Sequence, residues 1–185
     1  NLHKSAKIIL SEYQGIFPTS YSELIALPGI GESTAGAILS LACNQPRPIL
    51  DGNVKRVLSR LHRVVGHYSN SKTLKELWRL AKYHTPSKQS AEYAQAIMDL
   101  GATICKPRKP LCSKCPVSRN CKANLCNDQA SFPQKKARTI RPEKSLAFLA
   151  YRNDKGDIYL VKRPNKGVWG GLWSFEECED TKTAI

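Results

Sequence analysis

Four cysteines in the order Cys105-x6-Cys112-x2-Cys115-x5-Cys121 lie in a short loop rich in proline and lysine. Lys106, Pro107, Arg108, Lys109 and Pro110 cannot bury themselves, so the loop must take its order from a bound metal or from disulfides. The chain holds 7 cysteines, with Cys43, Cys126 and Cys178 scattered outside the cluster. An odd number with four of them grouped favours metal ligation in a reducing compartment over a disulfide scaffold. Structural zinc prefers two C-x2-4-C knuckles, whereas one short pair between two longer spacers suits an iron–sulfur cluster. The spacing leaves zinc as the second choice.

A second chemical element is Leu27-Pro28-Gly29-Ile30-Gly31, set between two short helical segments. Its glycines allow positive φ and bring backbone N–H groups close to an anion. A phosphate held there would meet the N-terminus of the helix carrying Ser33 and Thr34, where free amides and the helix dipole favour negative charge. The same five residues also fit an ordinary turn between helices. The third element is Asp51, which follows the extended stretch Pro46-Arg47-Pro48 and opens a helix. Its plainest role is an N-cap accepting from the amide of Asn53 or Val54. A cap can also be a catalytic carboxylate, and Asp51 follows the glycine turn closely enough to share a cleft with it.

The elements that must position these groups read as helices up to Cys126. Leu2, Ala6, Ile9 and Tyr13 make one apolar face of a first helix. Ser20 and Glu23 form a capping box for a second helix, which Pro28-Gly29 stops. A third helix starts near Ser33 and carries the small apolar run Ala35 to Ala42. In the helix after Asp51, Val54, Val57, Leu58, Leu61 and Val65 mark the buried side, and Lys55, Arg56, Ser59, Arg60 and Arg63 the basic outer side. Further helices are expected around 74–83 and 91–100. Residues 127–143 are polar and basic without apolar period and read as a linker. From 144 to 185 a β-containing domain begins, with β-rich runs at 145–151 and 158–162 joined by hairpin chemistry at Asn153-Asp154-Lys155-Gly156. A lone hairpin is marginal in water, so the domain is expected to continue in a longer protein, and the opening helix to be a cut end.

The chain has 29 Lys+Arg against 15 Asp+Glu, a net charge of +14. That field attracts polyanions and releases their counterions, which makes nucleic acid the leading partner and a merely soluble basic protein the alternative. No apolar run approaches the roughly 18 residues of a bilayer span, and the first residues lack a secretory core. A soluble, intracellular monomer is expected, with no membrane partner: cytoplasmic and nucleoid-associated in a bacterium, nuclear or mitochondrial in a eukaryote.

The run Leu27 to Ile38, the run Ile49-Leu50-Asp51-Gly52-Asn53-Val54-Lys55-Arg56-Val57 and the four-cysteine loop together resemble the helix-hairpin-helix, iron–sulfur DNA glycosylases, in particular the MutY-type adenine-specific branch. The resemblance implies a mainly α helix-hairpin-helix glycosylase domain with a [4Fe-4S] loop, followed by a linker and the start of an α/β Nudix-like domain. It makes Cys105, Cys112, Cys115 and Cys121 the cluster ligands. It makes Leu27, Gly29, Gly31, Ser33, Thr34, Lys55 and Arg56 the DNA-contacting set. Asp51 would steady the positive charge that grows on the sugar, with Asn53 supporting it. Relatives that also cut the strand place a lysine at the position of Ser33, and a hydroxyl cannot form their imine. The resemblance therefore implies a monofunctional hydrolase of base excision repair that removes adenine opposite 8-oxoguanine or guanine in double-stranded DNA.

It also implies a glutamate general acid on a helix well before the hairpin, which no residue of this chain matches. Glu12 and Glu23 occupy surface or cap positions, so the chain alone is expected to catalyse little. In the β-rich part Phe148-Leu149-Ala150-Tyr151 and Trp169 to Trp173 resemble the opening of the Nudix-like domain, and the two tryptophans fit core packing or a ligand role equally well. The alternatives are an endonuclease III-like glycosylase with lyase activity, and a non-catalytic, metal-stapled DNA-binding module in which Asp51 is only a cap.

Overall fold

Three helix starts in this protein carry a side chain that takes up a free amide. In the computed structural model, which describes residues 1–136, 143 and 145–178, Ser20 caps α2 (Tyr21–Ala26) by accepting from the Glu23 amide at 3.4 Å. The Glu23 carboxylate takes the Ser20 hydroxyl in return. Asp51 caps α4 (Gly52–His62) through the Val54 amide at 2.7 Å, and Asn70 caps α5 (Ser71–His84) through Lys72 at 2.8 Å. α3 (Glu32–Cys43) differs, because its N-cap is Gly31 and no side chain covers its first turn.

α1 (Leu2–Glu12) turns inward a face rotated from the one its apolar spacing predicts, the two sharing Ile9 and Tyr13. Leu2 and Ala6 are exposed, while Ser5 is buried and Ile8, Ile9 and Tyr13 pack on Leu24, Leu27, Ala35 and Leu39. The reason is polar: the Ser5 hydroxyl donates to the Pro28 carbonyl at 2.8 Å and fixes the rotation of α1 on the glycine turn. A second, larger core joins α4, α5 and α6 (Ser90–Asp99) through Val54, Val57, Leu58, Leu77, Leu80, Ala94 and Ile97. Each such side chain contributes about 1.5–3 kcal/mol when fully buried. α3 packs against α6 and so runs between the two clusters.

The outer side of α4 is not uniformly exposed. Ser59 and Arg60 are buried at 1 % and 3 % exposure, whereas Val65, expected inside, is 70 % exposed. The cysteine loop and residues 129–132 fold over that side and claim Arg60, which a one-dimensional apolar period cannot foresee. α6 runs on into one π-helical turn, Leu100–Ile104, and the cysteine loop follows as short 3-10 turns and α7 (Lys122–Leu125). The break expected after Cys126 falls inside the first compact unit, Asn1–Ala137. Asp128 pairs with Arg63 at 2.6 Å, Phe132 is buried and Gln134 accepts from the Gly66 amide at 2.9 Å. Residues 137–142 of the expected linker lie outside the described residues.

The described residues of the second unit, Arg138–Ile185, include short antiparallel pairs. β1 (Ala147–Leu149) pairs with β4 (Glu176–Cys178), and β2 (Val161–Lys162) with β3 (Trp173–Ser174). The turn at Asn153–Gly156 forms, with Gly156 at φ +89 donating to the Asn153 carbonyl at 3.0 Å. The two runs flanking it meet at the base of the turn through Arg152 and Ile158 and the Tyr159 to Tyr151 bond, since β1 takes β4 as its ladder partner. Trp169 and Trp173 are 61 % and 64 % exposed, so neither is a core residue in the unit as described. Among the described residues no helix is long and apolar enough to cross a membrane.

Candidate nucleic-acid interface and four-cysteine site

The glycine turn is held from inside. Leu27 is buried, its carbonyl accepts from the Ile30 amide at 3.1 Å, and Gly29 takes φ +89, a region L side chains rarely adopt. Gly29, Gly31 and Thr34 are exposed. The first amides of α3 have no intrahelical acceptor and no capping side chain, so they face outward with the dipole's positive end. Such an edge suits a phosphate oxygen.

What brings Asp51 to this edge is a stripe of small residues on α3. Ser33, Gly36 and Ser40 recur at helical spacing and receive the extended run 45–50. The Ser33 hydroxyl accepts from the Leu50 amide at 2.9 Å. At Gly36 an added Cβ would press on the Pro48 carbonyl, so only glycine admits that approach. Ser40, wholly buried, donates to the carbonyls of Arg47 at 2.9 Å and Gln45 at 3.1 Å. Asp51, the next residue after Leu50, is thereby tied to the first turn of α3. One carboxylate oxygen caps Val54, and among the described residues the other accepts no hydrogen bond. By apolar period alone this stripe reads as part of an apolar run; the signal that marks it is the 33/36/40 spacing opposite Pro46-x-Pro48.

The other expected residues divide. Lys55 stays near the surface with its ammonium 5.1 Å from the Tyr68 ring. Arg56, expected to face DNA, instead turns toward the cysteine loop, donating to the carbonyls of Cys105 at 2.7 Å and Gly101 at 2.6 Å. Asn53, expected to support Asp51, accepts from Arg56 at 2.8 Å. Its backbone lies so close to Gly101 that an added Cβ there would stand 3.0 Å from the Asn53 carbonyl. Burial pushes the Arg56 pKa down, with the neighbouring Cys105 opposing that shift.

The four clustered cysteines are each half-buried and line one tight cleft of about 20 Å³ together with Arg60, Ile104 and Leu111. Burial pushes the Cys115 and Cys121 thiols up, and the neighbouring sulfurs add to the rise, because gathered thiolates repel one another. A metal centre reverses that balance by accepting all four as thiolates. Lys106, Arg108, Lys109 and Lys114 are exposed around the cleft. Two features gave no signal in the sequence: Arg60 as a cleft residue, and a His62–His84 contact with ring nitrogens 2.7 Å apart.

Known proteins resemble this chain in sequence and in fold. A helix-hairpin-helix motif model matches residues 12–41. The adenine DNA glycosylase of Buchnera aphidicola subsp. Acyrthosiphon pisum is 38 % identical over 100 % of this chain and 53 % of that protein. The human adenine DNA glycosylase is 32 % identical over 94 % of this chain and 40 % of its own length. The chain thus spans about half the length of the curated relatives it matches. Among solved structures, a thermostable thymine-DNA glycosylase superposes with TM-score 0.58 at 30 % identity, covering 68 % of this chain and 57 % of that one. A non-covalent endonuclease III–DNA complex superposes with TM-score 0.57 at 27 % identity, covering 69 % and 57 %. The chain thus carries a helix-hairpin-helix motif and is similar, over its length in sequence and over about two thirds of it in fold, to DNA glycosylases.

Proposed function

We propose that the protein is an adenine DNA glycosylase of base excision repair, hydrolysing the N-glycosidic bond of adenine opposite 8-oxoguanine or guanine in double-stranded DNA. The observation that carries this reading is the Ser33–Leu50 hydrogen bond, 2.9 Å long, which ties the residue before Asp51 to the first turn of the helix that follows the glycine turn. With a phosphate gripped by those amides and the adenine turned out of the stack, Asp51 meets the charge that grows on the sugar as the base departs. Neither Glu12 nor Glu23 supplies the proton for the leaving base, since Glu12 is exposed at the end of α1 and Glu23 is engaged in the α2 cap. Ser33 has no amine with which to attack the sugar, which supports base removal without strand cleavage.

The four cysteines would hold a [4Fe-4S] cluster. All four line one cleft, and their spacing, one short pair between two longer spacers, suits a polynuclear centre better than a single zinc. When bound, the cluster supplies four metal–thiolate bonds that order the loop. The loop then offers Lys106, Arg108, Lys109 and Lys114 to phosphates. The second unit reads as the start of a Nudix-like domain that helps recognise 8-oxoguanine, and the enzyme works as a monomer wherever the genome is housed.

The test is Asp51→Asn in the full-length gene product, assayed by abasic-site formation in a duplex carrying adenine opposite 8-oxoguanine. Asparagine caps a helix about as well as aspartate, so stability should hold within about 0.5 kcal/mol. Base release should fall at least about hundredfold. An unchanged rate in the well-folded variant refutes the catalytic role and leaves a binding module. Efficient covalent capture of the wild type by borohydride would refute the monofunctional reading.

A further inference from the structure

Arg60 is 3 % exposed, and among the described residues no carboxylate forms an ion pair with it. Its neighbour Arg63, which is half-exposed, has Asp128 at 2.6 Å. The better-hydrated cation has the counter-ion and the buried one has none, the reverse of what desolvation favours. Each nitrogen of the Arg60 guanidinium is instead hydrogen-bonded. Nε donates to the carbonyls of Gln129 and Phe132 at 3.0 Å each, Nη1 to Lys106 at 2.7 Å and to Cys105 at 3.4 Å, and Nη2 to Pro107 at 3.0 Å. Nη1 also lies 3.4 Å from the Cys105 sulfur. Carbonyls satisfy the donors but leave the charge unbalanced. The group able to balance it is the four-thiolate centre, whose cleft Arg60 helps to line.

We propose that Arg60 is the buried counter-charge of the metal–thiolate centre and, through the same guanidinium, the clamp that sets the path of the basic loop. The role rests on the iron–sulfur reading of the four cysteines. Arg60 is a positioning residue: it reaches the metal through the Cys105 sulfur and DNA through the backbone of Lys106 and Pro107. Because its acceptors come from the first ligand and the two residues after it and from residues beyond the last ligand, the chain from Cys105 to Phe132 closes around one cation. A positive charge beside a ligand sulfur favours the form of the centre carrying one more electron, so its removal should lower the one-electron reduction potential.

The experiment compares wild type, Arg60→Gln and Arg60→Lys in the full-length holoprotein. Iron and acid-labile sulfide are assayed as purified, the potential is read by film voltammetry, and iron loss is timed in excess chelator. For Arg60→Gln the potential should fall by about 59 mV or more, a tenfold shift in the one-electron equilibrium. Iron loss should speed up at least about tenfold. Arg60→Lys should restore most of the potential, because the charge returns. It should stay sensitive to chelator, because one ammonium cannot span acceptors on both sides of the loop. An Arg60→Gln protein with full iron and a wild-type potential overturns the counter-charge. If Arg60→Gln does not fold, Arg60→Lys decides: wild-type chelator resistance there overturns the clamp. A wild type holding no iron overturns the cluster reading itself, a failure distinct from that of Arg60.

Discussion

Replacing Gly36 by alanine sets helix propensity against tertiary packing, and the two predict opposite signs. Gly36 is buried in the middle of α3, where alanine is favoured over glycine by about 0.8–1.0 kcal/mol. A Cβ built at Gly36, however, lies well inside the 3.0 Å that real Cβ atoms keep from the Pro48 carbonyl oxygen, and 3.3 Å from its carbon. That oxygen belongs to the backbone and cannot rotate away, so α3 and the run 45–50 must separate by several tenths of an ångström. Overpacking of this kind costs about 1–3 kcal/mol. Set against the propensity gain, the net is a loss of about 1 kcal/mol, or about 2–4 °C in Tm for a chain of this size. The separation also pulls on the Ser33–Leu50 and Ser40–Arg47 bonds, each 2.9 Å long, and so on the seat of Asp51. Displacing a reacting group by about 1 Å can cost about hundredfold, so base release should fall by more than the stability loss explains. Thermal melting followed by far-UV circular dichroism, with single-turnover base release, measures both. A Tm that rises by about 2–4 °C with an unchanged rate would refute the zipper between α3 and the aspartate segment.

Two further outcomes are expected. Burial, with His84, Lys122 and Arg79 beside it, lowers the His62 pKa from its ordinary 6.5, and burial lowers that of His84. Below about pH 6.5 the unfolded chain therefore binds protons that the folded chain resists, so stability should fall as pH drops from about 7 to about 5.5. The urea midpoint should track that decline, and His62→Gln should flatten it; an identical slope in the variant would show that the pair does not titrate with folding. Replacing Lys106, Arg108 or Lys109 singly by alanine should weaken binding to any duplex and reduce the salt slope of log affinity by about 0.9 for each phosphate no longer neutralised. A slope unchanged in all three variants would remove the loop from the interface.

Much of the helical scaffold was legible because its determinants are local. Ser20, Asp51 and the glycine turn declare helix boundaries through hydrogen bonds spanning at most three or four residues. The errors came where a polar contact from a distant segment outweighed the apolar period. Ser5 reaches the Pro28 carbonyl and rotates α1, and Arg60 is taken up by carbonyls 45 to 72 residues away. The family resemblance assigns Arg56 to DNA and Asn53 to the support of Asp51. The structure turns them toward each other and toward the cysteine loop. The β-rich part shows the same division: its turn was readable, but β1 paired with a strand far along the chain.

By itself the sequence determined the inventory: four sulfurs at cluster-type spacing, a glycine turn with open amides, a capping aspartate and a strong excess of positive charge. Residue types and short spacings set these, and no packing can add or remove them. Only the tertiary structure decided which groups meet. That a serine hydroxyl ties the aspartate to the hairpin, and that a buried arginine without a carboxylate stands at the cysteine cleft, depends on how segments pack. Such pairings depend on excluding water from particular interfaces, and burial is a property of the whole fold that no local pattern carries.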